Sequence, residues 1–581
     1  MSPGPQSPGT PTAVVSKGGT PKPGPSIEDK GGATALGQIG VLAAIIFSMW
    51  ALADAQRIPP LRLLFQSHLP LWVPASAVIF WRWGWALLHW IRAALYRYWK
   101  YPLLQEQAAQ AVAKRGHIPE VSILLVTYKE RPEVTRAVIL SVVAEMGRLP
   151  PLAKRPLFVA VTGTDADDEA ILAAFGEGVA SHPPEFAPEI VLMRGADGKR
   201  DALAKGLEFI RDRHPDPEGI FVMMDGDTRL DPGALTRALP LFRITPDVYA
   251  ATTNEHAHVQ GPSWFSEWIH MRHGQRHLYY NSISLSDRLL CLTGRYSIFR
   301  AATLDDGFIE IVRNDNVKHW LWGRYQLLSG DDKSTWFYLL SQGKRLLYVP
   351  DVSVVTYEFV LKEPLIRAYH NLRRWGGNMV RNSERAISVG PTKLGFFCWW
   401  CLIDQRVSIW TVLIGPTAAL YMAFGRDRAD LVAAYFLWVL CSRSVRALPS
   451  WKHGRRISFF YAPLAVLFDW AGALVKIWVM FFPARQFWLN RGARELDSTK
   501  GRLRMRDRQL VSATILAMVM TGYAIAVGQL VGSVPLLRDA SLVSLDLHSR
   551  RTEAEYLLLF VVLAAVLVLV RIRDREPRGA S

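Results

Sequence analysis

The sequence predicts a soluble α/β domain inserted between transmembrane helices. Half of the 581 residues are hydrophobic, 21 are Trp, and only 20% are charged. The long apolar runs lie towards the two ends of the chain, whereas in the middle short β-branched runs alternate with amphipathic segments. Apolar strands that alternate with helices are typical of a parallel sheet covered on both faces.

The beginning of the chain predicts a tail followed by two membrane spans. Residues 1–33 are rich in Pro and Gly, which predicts a disordered tail. Residues 34–97 hold two apolar runs, about Ala35–Leu52 and Leu69–Leu95, and about 20 helical residues cross a bilayer. Basic residues follow the second run, so we expect the next domain to be cytoplasmic.

The middle of the chain, residues 119–390, predicts the α/β domain. We expect buried strands at Val121–Thr127, Leu157–Val161, Ile190–Met193, Ile220–Met224 and Leu346–Val349. We expect helices at Ala202–Arg213 and Thr335–Gln342.

The last part, residues 391–581, predicts transmembrane or interfacial helices. Candidate spans are about Val407–Phe424, Leu431–Leu448, Ile457–Phe482, Leu510–Val531 and Tyr556–Val570. The basic residues of the loop at 483–508 predict that it is cytoplasmic. If all three candidate spans between the α/β domain and this loop crossed the membrane fully, however, the loop would lie on the opposite side. We therefore expect Ile457–Phe482, which contains Asp469, to be partly re-entrant or interfacial.

The net charge is strongly positive, at +17 from 68 basic and 51 acidic residues. On a soluble protein this charge would suggest a nucleic-acid partner. On a membrane protein Lys and Arg collect on cytoplasmic loops and face anionic lipid. We therefore expect membrane lipid, and no nucleic acid, as a partner.

The strongest local signal is the segment Met224-Asp225-Gly226-Asp227-Thr228, directly after a predicted strand. Open α/β sheets bind ligands at the carboxyl ends of their strands. Two carboxylates at this spacing can hold one divalent cation, which neutralises a diphosphate. The alternative is an ordinary polar turn, since Asp and Gly are turn formers.

A second carboxylate pair, Asp331 and Asp332, opens a predicted helix. One interpretation is that an Asp here is an N-cap. The other is a general base that takes a proton from an attacking hydroxyl. The presence of Asp225 and Asp227 upstream favours the general base.

Five further segments carry side chains suited to phosphate or sugar. Arg374 would bind a diphosphate and Trp375 would offer a flat face to a sugar ring, although an Arg beside Trp is also common at membrane borders. Lys199 and Arg200 open a helix, as phosphate-binding cations do, or form a solvated helix start. The remaining candidates are Thr127, Tyr128 and Glu130 at the end of the first strand, and Thr253 and Thr293–Arg295 between the carboxylate motifs.

In this order the motifs resemble those of the processive, membrane-integrated family 2 glycosyltransferases, which include cellulose, hyaluronan and chitin synthases. In that family a T-Y-x-E segment, a lone Lys, a D-x-D, a TED or GDD and a Q-x-x-R-W follow one another. The matching segments here are Thr127–Glu130, Lys199, Asp225/Asp227, Gly330–Asp332 and Asn371–Trp375, with Asn371 in place of Gln.

Within this family the chain most resembles the bacterial alginate polymerases, or mannuronan synthases. The similarity covers roughly residues 120–415 and includes the strings GKRDALAKGL (198–207), LTGRYSIFRA (292–301), HWLWGRYQLLSGDDKSTWF (319–337) and RWGGNMVRNSERAI (374–387). Further on, Arg485-Gln486-x-Trp488-x-x-Arg491 is similar to the W-x-x-R gating loop of related synthases.

The resemblance implies a GT-A type nucleotide-diphospho-sugar transferase fold and a role for each motif. The donor would be GDP-mannuronic acid, bound with Mg²⁺ or Mn²⁺ on Asp227 and Asp225. The donor and its diphosphate would contact Thr127, Tyr128, Glu130, Lys199, Asp225 and Arg374. Asp332, assisted by Asp331, would be catalytic, Trp375 and Thr253 would bind the acceptor, and Trp488 and Arg491 would belong to the gating loop.

The resemblance also implies a product, a partner and a location. The product would be β-1,4-mannuronan, the alginate precursor, exported by a multi-pass protein of the bacterial inner membrane with a cytoplasmic catalytic domain. The partner would be a separate cyclic-di-GMP-binding PilZ co-polymerase. Arg82, Arg406 and Arg443 would suit the path of a polyanionic product. Such arginines are also found where the side chain snorkels to the membrane–water interface.

Two alternatives remain open from the sequence. The same chemistry on a UDP-sugar would make another exopolysaccharide, such as a β-glucan or a hyaluronan-like polymer. A non-catalytic channel or scaffold is a distant alternative, because it would have no reason to keep the whole set of Asp225, Asp227, Asp332, Arg374 and Trp375.

Overall fold

A computed structural model describes residues 69–425, 429–452, 460–486 and 505–530, together with Ala43. The predicted tail at 1–33, the last predicted span and the gating residues Trp488 and Arg491 lie outside the described residues. Of the first predicted span, only Ala43 is described.

An eight-stranded sheet forms the centre of the described chain, in the order β3-β2-β1-β4-β7-β6-β10-β5. Its strands are β1 (Val121–Val126), β2 (Leu157–Val161), β3 (Glu189–Met193), β4 (Ile220–Asp225), β5 (Thr228–Leu230), β6 (Val248–Gln260), β7 (Tyr296–Arg300) and β10 (Arg345–Phe359). A separate hairpin pairs β8 (Asn316–His319) with β9 (Gly323–Gln326). All five predicted strands are confirmed, as β1, β2, β3, β4 and β10.

The sheet is mixed, so the prediction of a purely parallel sheet is wrong. Strands β3, β2, β1 and β4 run parallel, but β7 runs antiparallel between β4 and β6, and β5 runs antiparallel to β10. The sequence analysis missed β6 and β7, because β6 mixes polar with apolar residues and β7 is only five residues long. The antiparallel direction places the start of β7 beside the carboxyl end of β4, where Asp225 N–H donates to the Arg295 carbonyl at 3.2 Å.

The core of the domain forms around the central strands. Every residue of β2, and all of β1 and β4 except the last residue of each, is buried. Phe221 of β4 and Phe299 of β7 stack with their ring centroids 5.1 Å apart. Each buried side chain of this size contributes about 1.5–3 kcal/mol of hydrophobic stabilisation, which holds the loops at the strand ends in place.

Along the sequence, helices precede, separate and follow these strands. They are α1 (Leu69–Leu95), α2 (Tyr101–Arg115), α3 (Pro132–Gly147), α4 (Asp165–Ala180), α5 (Gly198–Arg213), α6 (Ser263–Ser284), α7 (Asp306–Arg313), α8 (Asp331–Ser341), α9 (Pro364–Val389), α10 (Pro391–Leu394), α11 (Phe396–Gly425), α12 (Ala429–Lys452), α13 (Tyr461–Phe481) and α14 (Met505–Leu530). The predicted helices at 202–213 and 335–342 are confirmed within α5 and α8.

Three of the described helices are long and apolar enough to cross a membrane. They are Phe396–Tyr421 within α11, Tyr461–Phe481 (α13) and Met505–Gly528 within α14. Helix α13 is continuous over its 21 residues, and the expectation that this segment is partly re-entrant or interfacial stays a prediction. Its acidic residue Asp469 forms an ion pair with Arg443 of α12 at 2.8 Å, and a partner on another helix is invisible in the local sequence.

The three arginines considered for the path of a polyanion each face a carboxylate. Arg82 lies 2.9 Å from Asp404, Arg443 lies 2.8 Å from Asp469, and Arg406 lies 3.3 Å from Glu384. Their charges are neutralised within the protein. These arginines therefore join helices to one another.

Candidate active site

The segment Asp225-Gly226-Asp227 forms the turn between β4 and β5. A Cβ atom on Gly226 would lie 2.5 Å from the Cβ of Thr127, so only glycine lets this turn pack against the end of β1. Thr127 is buried, and its Oγ1 has no hydrogen-bond partner within the part of the chain that the structure describes. Its hydroxyl is therefore a buried polar group without a protein partner among the described residues at this edge of the sheet.

Lys199, at the start of α5, joins the two carboxylate motifs. Its Nζ lies 2.7 Å from Asp225 Oδ1 and 3.1 Å from Asp331 Oδ2. Burial lowers the pKa of Lys199, but Asp225 and Asp331 outweigh burial and raise the pKa above its ordinary value. A permanently charged ammonium group therefore lies between two motifs that are far apart in the sequence.

Helix α8 begins at Asp331, and its N-cap is Gly330. Neither Asp331 nor Asp332 is an N-cap, so that alternative for the carboxylate pair is wrong. Gly330 has φ +90°, and a Cβ atom there would lie 2.9 Å from Asn378 Cγ of α9. The two carboxylates lie in the first turn of α8, where the helix dipole stabilises negative charge.

The two carboxylates of α8 have different environments. Burial raises the pKa of Asp331, but Lys199 and Arg200 outweigh it, so the pKa lies below its ordinary value. Burial and the charge of Asp331 raise the pKa of Asp332, against the opposing effect of Lys333 and Lys199. Asp332 accepts hydrogen bonds from the Lys333 N–H at 2.9 Å and from the Cys291 thiol at 3.4 Å. Asp332 is the more basic of the pair, which suits a general base.

A buried network under α8 fixes these carboxylates. Arg200 donates to the Val312 carbonyl at 2.9 Å and to Ser334 Oγ at 3.0 Å. Ser334 in turn donates to Asp315, which Arg385 binds through two nitrogens at 2.7 and 2.6 Å. Arg200 thus supports α8 and does not face a phosphate beside Lys199, because adjacent helical residues point about 100° apart.

Negative charge is concentrated beside the turn between β4 and β5. Burial, then Asp227, Asp225 and Asp167, raise the pKa of Glu130 to about 7. Burial and Asp225 raise the pKa of Asp227 to about 6, opposed by Arg295 and by the Thr228 hydroxyl, which donates at 3.1 Å. Carboxylates that raise one another's pKa form a site that favours a cation.

The predicted acceptor side is built on α9. Asn371 donates to Glu358 Oε1 at 3.2 Å and accepts from Arg374 at 3.5 Å, so the residue that replaces Gln orients Arg374. The Trp375 ring lies 5.8 Å from that of Trp268.

Thr253 and Tyr128 occupy different surroundings. Thr253 is buried in β6, and its hydroxyl donates to the Asn254 carbonyl at 3.2 Å. Tyr128 is 43% exposed, and a Cβ on Gly163 would lie 2.1 Å from its Cδ2. The exposed ring of Tyr128 is accessible to a base or ribose, whereas the Thr253 side chain is buried within the sheet.

The loop before β7 contains Thr293–Arg295, which the sequence places where an acceptor could lie. A Cβ on Gly294 would lie 3.4 Å from Asp331 Oδ2 and 3.6 Å from Lys199 Nζ. The next residue, Arg295, forms an ion pair with buried Glu255, which also binds Arg276. This loop therefore covers the carboxylates, and only the antiparallel position of β7 brings it there.

Comparisons with known proteins agree with this geometry. Residues 108–378 match the family described as glycosyltransferase like family 2. "Glycosyltransferase alg8" of Pseudomonas syringae pv. tomato is 33% identical over 433 residues, which are 73% of this chain and 86% of that protein. "Glycosyltransferase alg8" of Azotobacter vinelandii is 33% identical over 409 residues, 70% of this chain and 82% of that protein. The chain belongs to the alginate polymerase-like branch of the family 2 glycosyltransferases.

One solved structure is a more distant match. The mannosyltransferase PcManGT from Pyrobaculum calidifontis, in complex with GDP-Man and Mn²⁺, is 19% identical with a TM-score of 0.40. The match covers 68% of this chain and 99% of that chain.

A divalent metal, as expected for this glycosyltransferase, fits the turn between β4 and β5. Within the described ranges no three His, Cys, Asp or Glu side chains form a metal cluster, so protein ligands alone do not complete a coordination shell. Asp225 and Asp227 supply hard oxygen ligands. Mg²⁺ commonly takes one or two carboxylates and completes its coordination with water and substrate phosphates.

The start of the predicted gating loop is attached to the catalytic domain of the glycosyltransferase. Gln486 donates to the Gln326 carbonyl at 2.8 Å and accepts from the Leu328 N–H at 3.2 Å. Arg381 of α9 donates to the Pro483 carbonyl at 2.7 Å. These contacts tie residues 483–486 to the segment that leads into Gly330.

Proposed function

We propose that this chain is a processive, inverting glycosyltransferase that polymerises mannuronate from GDP-mannuronic acid into β-1,4-mannuronan. The main support for transferase chemistry is that Lys199 forms ion pairs with both Asp225 and Asp331, beside Asp332. It brings a diphosphate-binding turn and a candidate base to one point. The relatives named alg8 support a glycosyltransferase of alginate synthesis, because the similarity covers more than two thirds of both chains, and the motif resemblance implies mannuronate as the sugar.

The donor binds along the carboxyl edge of β1 and β4. Lys199 and Arg374 place positive charge on the diphosphate as it departs. The Thr127 hydroxyl, Tyr128 and Glu130 contact the nucleoside end. Asp227 and Asp225 would hold Mg²⁺ or Mn²⁺, which would supply positive charge to the leaving diphosphate.

Asp332 acts as the general base of the transfer. It takes the proton from the 4-hydroxyl at the non-reducing end of the growing chain, and Asp331 stays charged beside Lys199. The oxygen attacks C1 of the donor sugar, and the bond from C1 to the diphosphate oxygen breaks with its electron pair leaving on GDP. Attack from the opposite side inverts C1 and forms the β-1,4 link, while Trp375 and Thr253 border the acceptor.

Polymer export follows from the attachment of this domain to apolar helices. The protein lies in the bacterial inner membrane with its catalytic domain facing the cytoplasm. The polymer leaves through the membrane helices. Trp488 and Arg491 serve in the gating loop of this transferase. A separate cyclic-di-GMP-binding PilZ protein serves as co-polymerase.

Release of nucleotide diphosphate tests this proposal. The protein in nanodiscs, with Mg²⁺ or Mn²⁺ and its co-polymerase, is given GDP-mannuronate, UDP-glucose, or UDP-glucuronate with UDP-N-acetylglucosamine. We expect release from GDP-mannuronate alone, and a loss of about 10²–10⁴-fold in Asp332→Asn.

Asp212→Asn is the matched control, because its side chain is 80% exposed. We expect this variant to keep wild-type release. Release from a UDP-sugar would overturn the choice of donor, and full activity of Asp332→Asn would overturn its role as the base.

A further inference from the structure

Two cations near Trp375 differ from the paired arginines of the membrane helices. Arg82, Arg406 and Arg443 each have a carboxylate partner. Across the ranges that the structure describes, Arg272 and Lys476 have no carboxylate within 4 Å, and neither makes a hydrogen bond.

Both cations lie against the Trp375 region from different helices. The guanidinium carbon of Arg272, on α6, lies 4.0 Å from the centroid of the Trp375 ring. The Cγ of Lys476, on α13, lies 2.9 Å from the position that a Cβ atom on Gly376 would occupy. Lys476 is also near enough to Arg272 for the two charges to interact. Arg272 therefore lies over the Trp375 ring, and Lys476 lies beside Gly376, the next residue of α9.

The carboxylates nearest to these cations are already engaged. Glu358 accepts from Asn371 at 3.2 Å and lies 3.6 Å from Arg367 Nε. Asp469 is paired with Arg443. Burial and Arg295 lower the pKa of Arg272 to about 10, with Glu358 opposing this effect and Arg374 adding to it, so Arg272 is charged at neutral pH.

Two neighbouring, partly buried charges of the same sign destabilise a protein unless an anion joins them. The arrangement is therefore complementary to a ligand that carries a carboxylate on a sugar ring. The sugar ring packs beside Trp375, and Arg272 and Lys476 bind its carboxylate through charge-assisted hydrogen bonds.

We propose that Arg272 and Lys476 form a carboxylate-binding subsite beside Trp375, which binds a uronate unit of the growing chain as it passes from the catalytic domain to the membrane helices. The inference rests on the proposed function, since only a uronate polymer presents this carboxylate. The position suits such a passage, because α9 carries Trp375 and packs on α13 through Leu372 and Val475. A neutral glucan or mannan would leave both cations without a partner.

Binding of short oligosaccharides tests the subsite. The probes are a β-1,4-linked mannuronate hexamer and its neutral counterpart, β-1,4-mannohexaose, added to the protein in nanodiscs with its native partners. We expect the wild type to bind the mannuronate hexamer about tenfold or more tightly than the neutral one, as for a lost charge-assisted hydrogen bond.

Four variants separate charge from packing. Arg272→Gln and Lys476→Gln should each weaken binding of the mannuronate hexamer about tenfold, leave binding of the neutral hexamer unchanged and shorten the polymer. Arg272→Lys and Lys476→Arg should keep most of the preference. The matched control is Arg211→Gln, because Arg211 pairs with the exposed Asp306 on the surface of the α/β domain.

The possible outcomes distinguish the inference from the proposed function. Mannuronan synthesis with unchanged hexamer binding in both Gln variants would overturn the subsite alone. Equal binding of the two hexamers by the wild type would overturn it as well. Nucleotide release from a UDP-sugar alone would overturn the proposed function and, with it, the inference. An unchanged melting temperature and donor KM in the Gln variants show that a loss of binding is not a loss of folding.

Discussion

At the scale of single residues, Lys199 couples the two halves of the site. Its ammonium group contacts Asp225 at 2.7 Å and Asp331 at 3.1 Å. It also lowers the pKa of Asp332, against the larger effects of burial and Asp331, which raise it. In the proposed mechanism this cation therefore assists departure of the diphosphate and favours the deprotonated form of Asp332.

This coupling predicts a shift of the pH profile in Lys199→Met. A base has to be deprotonated, so activity falls as the pH drops through the pKa of Asp332. Removal of Lys199 removes an effect that lowers this pKa, and the acidic limb of the kcat profile should therefore move to higher pH. We also expect kcat to fall at least about tenfold, because one charge on the leaving group is lost.

The control for this experiment is Lys205→Met on the same helix, where Lys205 pairs with Asp201 near the surface. It should leave the kcat profile in place. An unshifted acidic limb in Lys199→Met would show that Lys199 does not act on Asp332.

At the scale of secondary-structure elements, the first turn of α8 depends on one glycine. Gly330 has a positive φ, and Asn378 of α9 occupies the space of a side chain. Arg200 of α5 supports the same turn from below through Ser334. The positions of Asp331 and Asp332 are thus set by contacts among three helices.

Gly330→Ala is therefore predicted to be harmful. Strain at positive φ and the close contact with Asn378 should destabilise the protein by about 1–3 kcal/mol. They should also displace Asp332 and reduce kcat more than tenfold, since a small displacement of a reacting group can lower the reaction rate about 10²-fold. Thermal unfolding and nucleotide release measure the two effects.

Gly176→Ala is the matched control, because it lies within α4 and a Cβ atom there would meet nothing within 4 Å. It should be neutral or slightly stabilising. Wild-type kcat in Gly330→Ala would contradict the role of this turn.

At the scale of the whole molecule, one Trp attaches the α/β domain to the apolar helices. Trp322, between β8 and β9, is fully buried, and its indole N–H donates to the Phe481 carbonyl at 2.9 Å and to Ser512 at 3.1 Å. Phe481 ends α13, and Ser512 lies in α14. The contact therefore fixes the catalytic domain relative to two of the candidate membrane helices.

Trp322→Ala should destabilise the protein by about 3–5 kcal/mol, as expected for a large cavity in a core. Trp320 lies two residues away but is 78% exposed, so Trp320→Ala should change stability by less than about 0.5 kcal/mol. Thermal unfolding in detergent compares the two variants. Equal stability of both would show that Trp322 does not anchor the domain.

The sequence by itself determined five of the strands, the apolar helices that follow the α/β domain and the order of the chemical motifs. β1, β2, β3, β4 and β10 were predicted because the alternation and β-branching of a strand are encoded within a few residues. The motifs around Asp225, Asp332 and Trp375 were found for the same reason, since each is contiguous in the chain.

Only the tertiary structure decided how residues distant in sequence meet. It placed β7 antiparallel beside β4, turned Arg200 inward under α8, and gave Asp469 its partner Arg443. It also left Arg272 and Lys476 together at Trp375. Such contacts depend on the packing of whole elements and on burial, and a local pattern of residues does not contain that information.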